Sequence, residues 1–86
     1  MYGVYTVYGL HGPDLKVVYV GHTRLDPDKR FRNHLRGTRL RHVKEWVDST
    51  AQVTMATLAT CETDIEARRL EQWWIDQLQP ILNHKR

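Results

Sequence analysis

YGVYTVYGLHGPDLKVVYVG, residues 2–21, is the stretch whose reading decides the fold. Its two halves, residues 2–9 (YGVYTVYG) and 15–21 (LKVVYVG), are rich in Val and Tyr, and His11-Gly12-Pro13-Asp14 lies between them. β-branched and aromatic residues suit a pleated surface, whereas Gly, Pro and Asp break it. The pattern predicts a β-hairpin with a turn of four or five residues. Side chains repeat their direction every two residues along a strand, so Gly3 and Tyr5 share a face, as do Tyr19 and Gly21.

Beyond the hairpin, Asp26-Pro27-Asp28 reads as a helix start, with Asp26 as N-cap and Pro27 in the first helical position. That helix is expected to run to about Arg36 and stop at Gly37. Residues 40–48 (LRHVKEWVD) form a second short helix with Leu40, Val43 and Val47 on one face. Residues 51–59 (AQVTMATLA) alternate and predict a third strand. Thr63-Asp64-Ile65-Glu66 is a capping box that opens a long helix, which must end near Gln79 because Pro80 follows. The element order is therefore ββααβα: an α+β domain with a three-stranded antiparallel or mixed β-sheet flanked by helices. At 86 residues the chain makes one domain, 1–86.

Composition narrows the chemistry. Cys61 is the single cysteine, which rules out an internal disulfide framework, and none of the five histidines has zinc-ligand spacing. No apolar run reaches the roughly 18 residues that span a membrane, and the strand-like N-terminus has no secretory pattern, so a cytoplasmic setting is expected. Net charge is +3, but eight of the thirteen basic residues fall between Arg24 and Lys44: Arg24, Lys29, Arg30, Arg32, Arg36, Arg39, Arg41 and Lys44. Arginine outnumbers lysine there six to two. A guanidinium meets phosphate oxygens bidentately, so this segment reads either as a solvated arginine-rich face or as a surface that tracks a phosphate backbone.

Three features carry the chemistry. The first is the pair Gly3-Val4-Tyr5 and Tyr19-Val20-Gly21 on the two strands. The second is Arg30 and His34, four residues apart on one helix face and flanking the apolar stripe of Phe31 and Leu35. A cation beside a titratable imidazole suits phosphate binding and proton handling. The third is Glu71, at the edge of the core stripe Ala67, Leu70, Trp74 and Leu78. A carboxylate there needs a charged partner, and either Arg30 or a divalent cation could supply it. Trp46 and Trp73 are expected to pack at the core or its boundary, with base stacking or a subunit contact as other uses of Trp73.

Taken in order, these residues resemble the GIY-YIG nuclease family. Gly3-Val4-Tyr5 and Tyr19-Val20-Gly21 match the two tripeptides, Arg30-x-x-x-His34 the helix-borne pair, and Glu71, Pro80 and Asn83 the closing residues, over about 80 of the 86 positions. The resemblance implies an endonuclease that hydrolyses DNA phosphodiester bonds, with one Mg²⁺ or Mn²⁺ held by Glu71. It implies that Arg30 clamps a phosphate oxygen, that Tyr5 or Tyr19 handles the proton of the attacking water, and that Asn83 ties the chain end to the site. Tyr5 is the preferred base, with His34 assisting and Tyr19 positioning water or phosphate. Gly21, His22, Arg24, Lys29, Arg32, Arg36, Arg39, Arg41 and Lys44 are the expected nucleic-acid contacts. Little chain is left for a separate DNA-reading domain, so weak sequence preference, structure selectivity or nicking is expected. Dimerisation or a protein partner could supply more, and RNA presents the same phosphates. The alternative is a non-cleaving binding module or an accessory subunit.

Overall fold

The structure is a computed structural model and describes residues 4–24, 26–37 and 41–83, with the side chains of residues 34–37 outside that description. The expectations for Gly3, Arg39 and Leu40, and for the side chains of His34, Leu35 and Arg36, lie outside the described residues.

The order is the expected ββααβα: β1 (Tyr5–His11), β2 (Val17–Thr23), α1 (Pro27–Gly37), α2 (Arg41–Ser49), β3 (Thr54–Cys61) and α3 (Asp64–Leu78), then one 3-10 turn, Ile81–Asn83. The sheet runs β2-β1-β3, and both pairings are antiparallel. The central strand β1 is buried from Thr6 to Leu10, which requires cover on both faces.

Register assigns the faces. Tyr8 lies opposite Gly21 and Leu10 opposite Tyr19, so these four share one face; Val7 opposite His22 and Gly9 opposite Val20 share the other. On the first face Tyr8 and Leu10 pack with Val43 and Val47 of α2 and with Leu82, bordered by Tyr19, Phe31 and Trp46. His42 donates Nε2 to the Leu82 carbonyl at 2.9 Å, which ties α2 to the 3-10 turn. On the second face lie the buried Val7 and Val20, and α3 packs on the sheet with Ala67 fully buried. A small residue there lets the helix backbone come near the sheet.

Strand ends differ from the sequence expectation by two or three residues. β2 starts at Val17 because residues 12–16 form the turn: Leu15 adopts a positive φ of 64°, its N–H donates to the Gly12 carbonyl at 3.1 Å, and Asp14 Oδ1 accepts from the Lys16 N–H. β2 then continues past Gly21, which brings His22 and Thr23 into the sheet. β3 starts late and carries a bulge, since Val7 pairs with Ala59 while Tyr8 pairs with Thr57.

Helix signals behave as read. Asp26 Oδ1 accepts from the Asp28 N–H, and Thr63 Oγ1 accepts from the Glu66 N–H. Gln79 turns left-handed at φ 46° and closes α3 before the buried Pro80. The core stripe of α3 is shorter than expected: Leu70 and Trp74 are half-buried, but Leu78 is 39% exposed because the chain leaves the sheet there. Trp46 borders the core as expected, whereas Trp73 is 52% exposed and stands edge-on to Trp74. No helix among the described residues is long and apolar enough to cross a membrane.

Candidate active site

The hairpin sets the first half of the site. A Cβ on Gly21 would lie 2.6 Å from the Tyr8 hydroxyl and 2.8 Å from its Cζ, closer than atoms can stand. Glycine at position 21 is therefore a packing requirement: it makes room for a phenol from the neighbouring strand. Tyr19, two residues away on the same face, has its ring 6.4 Å from that of Tyr8.

Arg30 reaches this pair from α1. The helix begins at Asp26, whose carbonyl accepts from the Arg30 N–H at 3.0 Å. From its half-buried position Arg30 donates Nε to the Tyr8 hydroxyl at 3.3 Å. Burial pushes the phenols of Tyr8 and Tyr19 above the usual tyrosine range, and the Glu71 carboxylate adds to both shifts. The Arg30 guanidinium opposes both. A cation from α1 and an anion from α3 thus act on the same two phenols. Desolvation prevails, so Tyr8 and Tyr19 stay protonated and can donate hydrogen bonds.

Glu71 is held from the other side. His22 donates Nδ1 to Glu71 Oε2 at 2.7 Å, while Asp64 Oδ1 is 3.6 Å from His22 Nε2, beyond hydrogen-bond range. Asp64 and Glu71 are seven residues apart, two turns of one helix, so both present to the same imidazole. Tyr5 completes this group: its ring centroid is 6.5 Å from that of His22, and the Arg24 guanidinium lies 5.8 Å from its centre.

The chain end closes the edge of β2. Asn83 Oδ1 accepts from the Val20 N–H at 2.7 Å, and Asn83 Nδ2 donates to the Val20 carbonyl at 2.8 Å. The tie to the motif strand expected for Asn83 is made through the backbone between Tyr19 and Gly21.

The expected set thus falls into two groups. Tyr19, Gly21 and Arg30 gather on one face; Tyr5, His22 and Glu71 gather on the other. The helix neighbour of Arg30, His34, has a described backbone in α1 and no described side chain. Among the expected nucleic-acid contacts, Lys29 and Arg32 are exposed on α1. Arg41 and Lys44 are engaged in i,i+4 pairs with Glu45 and Asp48 on α2. Sequence reasoning missed Tyr8 and Asp64. Tyr8 sits in a strand of alternating Val and Tyr, where it reads as core, and Asp64 reads as an acid favoured at a helix start; the helical i,i+7 spacing of Asp64 and Glu71 was the available signal for the second.

Among the described residues, no three His, Cys, Asp or Glu side chains converge as a ready-made metal cage. Glu71 nonetheless suits a hard divalent ion. One carboxylate oxygen is engaged by His22, its side chain is 26% exposed, and Mg²⁺ commonly takes one or two carboxylates with water and substrate phosphate completing its shell.

A family model described as the GIY-YIG catalytic domain matches residues 1–86. No curated protein matches the chain.

Proposed function

Because this chain belongs to the GIY-YIG family, a nuclease-type family, we propose that it is a divalent-metal-dependent endonuclease that hydrolyses DNA phosphodiester bonds through a single domain spanning residues 1–86. The observation that carries the reading is the family match over residues 1–86, beside a site in which Arg30 donates to the Tyr8 hydroxyl at 3.3 Å and Glu71 accepts from His22 at 2.7 Å. Phosphoryl chemistry needs a cation for the non-bridging oxygens and a carboxylate for a metal, and Arg30 and Glu71 are residues of those two types brought to the β1–β2 pair from α1 and α3.

The roles follow from the environments. Arg30 binds a non-bridging phosphate oxygen and offsets charge that develops in the transition state. Tyr19, held protonated by burial, donates a hydrogen bond to phosphate or to the attacking water. Tyr5, beside His22 and Arg24, relays the water's proton: its phenol oxygen takes that proton as it passes its own to the assisting His34. Glu71 holds one Mg²⁺ or Mn²⁺, which when bound polarises the scissile phosphate and stabilises the leaving 3′-oxygen. His22 keeps the Glu71 carboxylate oriented. Asn83 supports the site by securing Val20 at the sheet edge.

Arg24, Lys29 and Arg32, with Arg36, Arg39, Arg41 and Lys44, track the DNA backbone around the cut. Such contacts position without reading bases, which favours weak sequence preference, structure selectivity or nicking.

A cleavage assay on supercoiled plasmid and branched DNA, with Mg²⁺ or Mn²⁺, tests the reading against Glu71→Ala and Arg30→Ala. The parent chain should cut and both variants should not. A parent that binds every substrate and cuts none would instead be a non-cleaving binding module.

A further inference from the structure

We propose that β3 and the groove beside it are the contact surface for a second copy of this chain, which pairs β3 with β3 about a two-fold axis and joins two three-stranded sheets into one. The proposal goes beyond the nuclease reading and does not depend on it.

The sheet order β2-β1-β3 leaves two edges. Asn83 closes the β2 edge at Val20. Among the described residues β3 pairs with β1 alone, so half of its backbone groups point outward along eight residues, about 27 Å of strand. Edge strands are commonly blunted by charge, proline, a bulge or a covering segment. Thr54–Cys61 (TMATLATC) holds no charge and no proline. Its bulge serves the apolar side instead. Val7 pairs with Ala59 and Tyr8 with Thr57, and the extra residue, Leu58, reaches the Gly9 face, with Cδ1 3.4 Å from where a Gly9 Cβ would stand. Leu58 and Ala59 therefore turn to one face together.

That face is the one α3 covers, but α3 lies over β1 and β2 more than over β3. The strip it leaves open is a groove of about 480 Å³ lined by Leu58, Ala59, Arg69, Leu70, Trp73 and Trp74. Trp73 is half-exposed there and stands edge-on to Trp74 with ring centroids 5.0 Å apart.

A second copy satisfies the open edge and the groove at once. Antiparallel pairing of β3 with itself has its two-fold axis perpendicular to the sheet. Both α3 helices then stay on the same side of the joined sheet, with one groove on each side of the seam. An isologous contact requires such a self-complementary patch. No like charges meet along the seam, since the strand has none, and threonine is suited to cross-strand pairing. A nucleic-acid strand would cover Trp73 but leave the β3 backbone unpaired. It would also meet a helix in which Asp64, Glu66, Glu71 and Asp76 outnumber Arg68 and Arg69. Tyr19 and His22 lie on β2, across β1 from the seam, so pairing leaves both sites open.

Sedimentation equilibrium without nucleic acid tests the pairing. The parent chain, 10.2 kDa, should sediment as a dimer at about 100 µM and dissociate on dilution. Trp73→Ala and Thr57→Lys should each weaken association roughly tenfold or more while keeping the parent's circular dichroism spectrum. A parent of single-chain mass at that concentration overturns the proposal, as does a dimer that neither variant weakens. If a variant does not fold, amide exchange of the parent decides. The outward amides of β3 should be protected at high concentration and lose protection on dilution; equal exchange at both overturns the pairing. A monomeric parent whose affinity for a single-stranded oligonucleotide falls in Trp73→Ala assigns the groove to nucleic acid and likewise overturns it. Because mass is read without DNA, a dimer that cuts nothing keeps the pairing and removes the nuclease reading, whereas a monomer that cuts does the reverse.

Discussion

Asn83 and Val20, 63 residues apart, are joined by two hydrogen bonds of 2.7 and 2.8 Å in which a side-chain amide takes the place of a neighbouring strand. β2 is an edge of the sheet, and the residue so capped lies between Tyr19 and Gly21. Asn83→Ala leaves a part-buried donor and acceptor unpaired and should cost about 1–3 kcal/mol. Asn83→Asp should be no better, because it sets a carboxylate oxygen against the Val20 carbonyl. Urea denaturation checks both, and variants indistinguishable from the parent would show that the clasp contributes nothing.

Gly21→Ala should destabilise by about 1–3 kcal/mol through overpacking against Tyr8. Combining it with Tyr8→Phe should recover part of that loss, since the hydroxyl contact at 2.6 Å disappears while the ring carbon at 2.8 Å remains. A thermodynamic cycle measures the coupling. Simple additivity would mean that the two side chains do not compete for this space.

Glu71→Gln keeps an oxygen that can accept from His22 Nδ1 but removes the charge a divalent ion needs. Cleavage should fall at least about a hundredfold, and Mn²⁺ binding by calorimetry should be lost, with stability close to the parent. Retention of Mn²⁺ binding would move the metal site away from Glu71.

Arg30→Ala should lower the slope of log K against log salt for metal-free DNA binding by about one phosphate contact. Glu71→Ala should leave that slope unchanged and tighten metal-free binding, because it deletes a negative charge near phosphate. Fluorescence anisotropy at several salt concentrations separates the two. An unchanged slope in Arg30→Ala counts against its role as clamp.

The buried phenols predict an alkaline limit. Tyr19 has its folded-state pKa raised, chiefly by desolvation, above the ordinary value of 10.0. The unfolded chain therefore loses this proton first. The contribution is intact below about pH 10, and stability declines as pH rises above that value towards the higher folded-state pKa. Tyr19→Phe should flatten this decline, read as the change in thermal midpoint between neutral pH and pH values above the unfolded-state pKa. An equally steep decline in the variant assigns alkaline instability to other groups.

Much of the architecture was legible because its signals are local. Thr63 and Glu66 lie three residues apart, Asp26 caps the residue two positions after it, and Pro80 stops the helix that precedes it, so each motif contains its own partner. The Val- and Tyr-rich halves of residues 2–21 settled the hairpin for the same reason. The strand limits were less legible, since Leu15 has the residue type of a strand and only the turn around Asp14 puts it at a positive φ. The α3 stripe was overextended at Leu78, where helical period alone does not say where the sheet ends.

The sequence by itself determined the element order, the helix caps, the crowding of arginine between residues 24 and 44, and the residue types of the site. Tertiary structure alone decided which of them meet. That Tyr5 lies with His22 while Tyr19 lies with Tyr8 depends on the β1–β2 register, which the five-residue turn sets. That His22 meets Glu71 across 49 residues, and Tyr8 meets Arg30 across 22, depends on how two helices dock on opposite faces of one sheet. Periodicity records which way a side chain points from its own element; what it meets is fixed by packing between elements, and packing is a property of the whole chain.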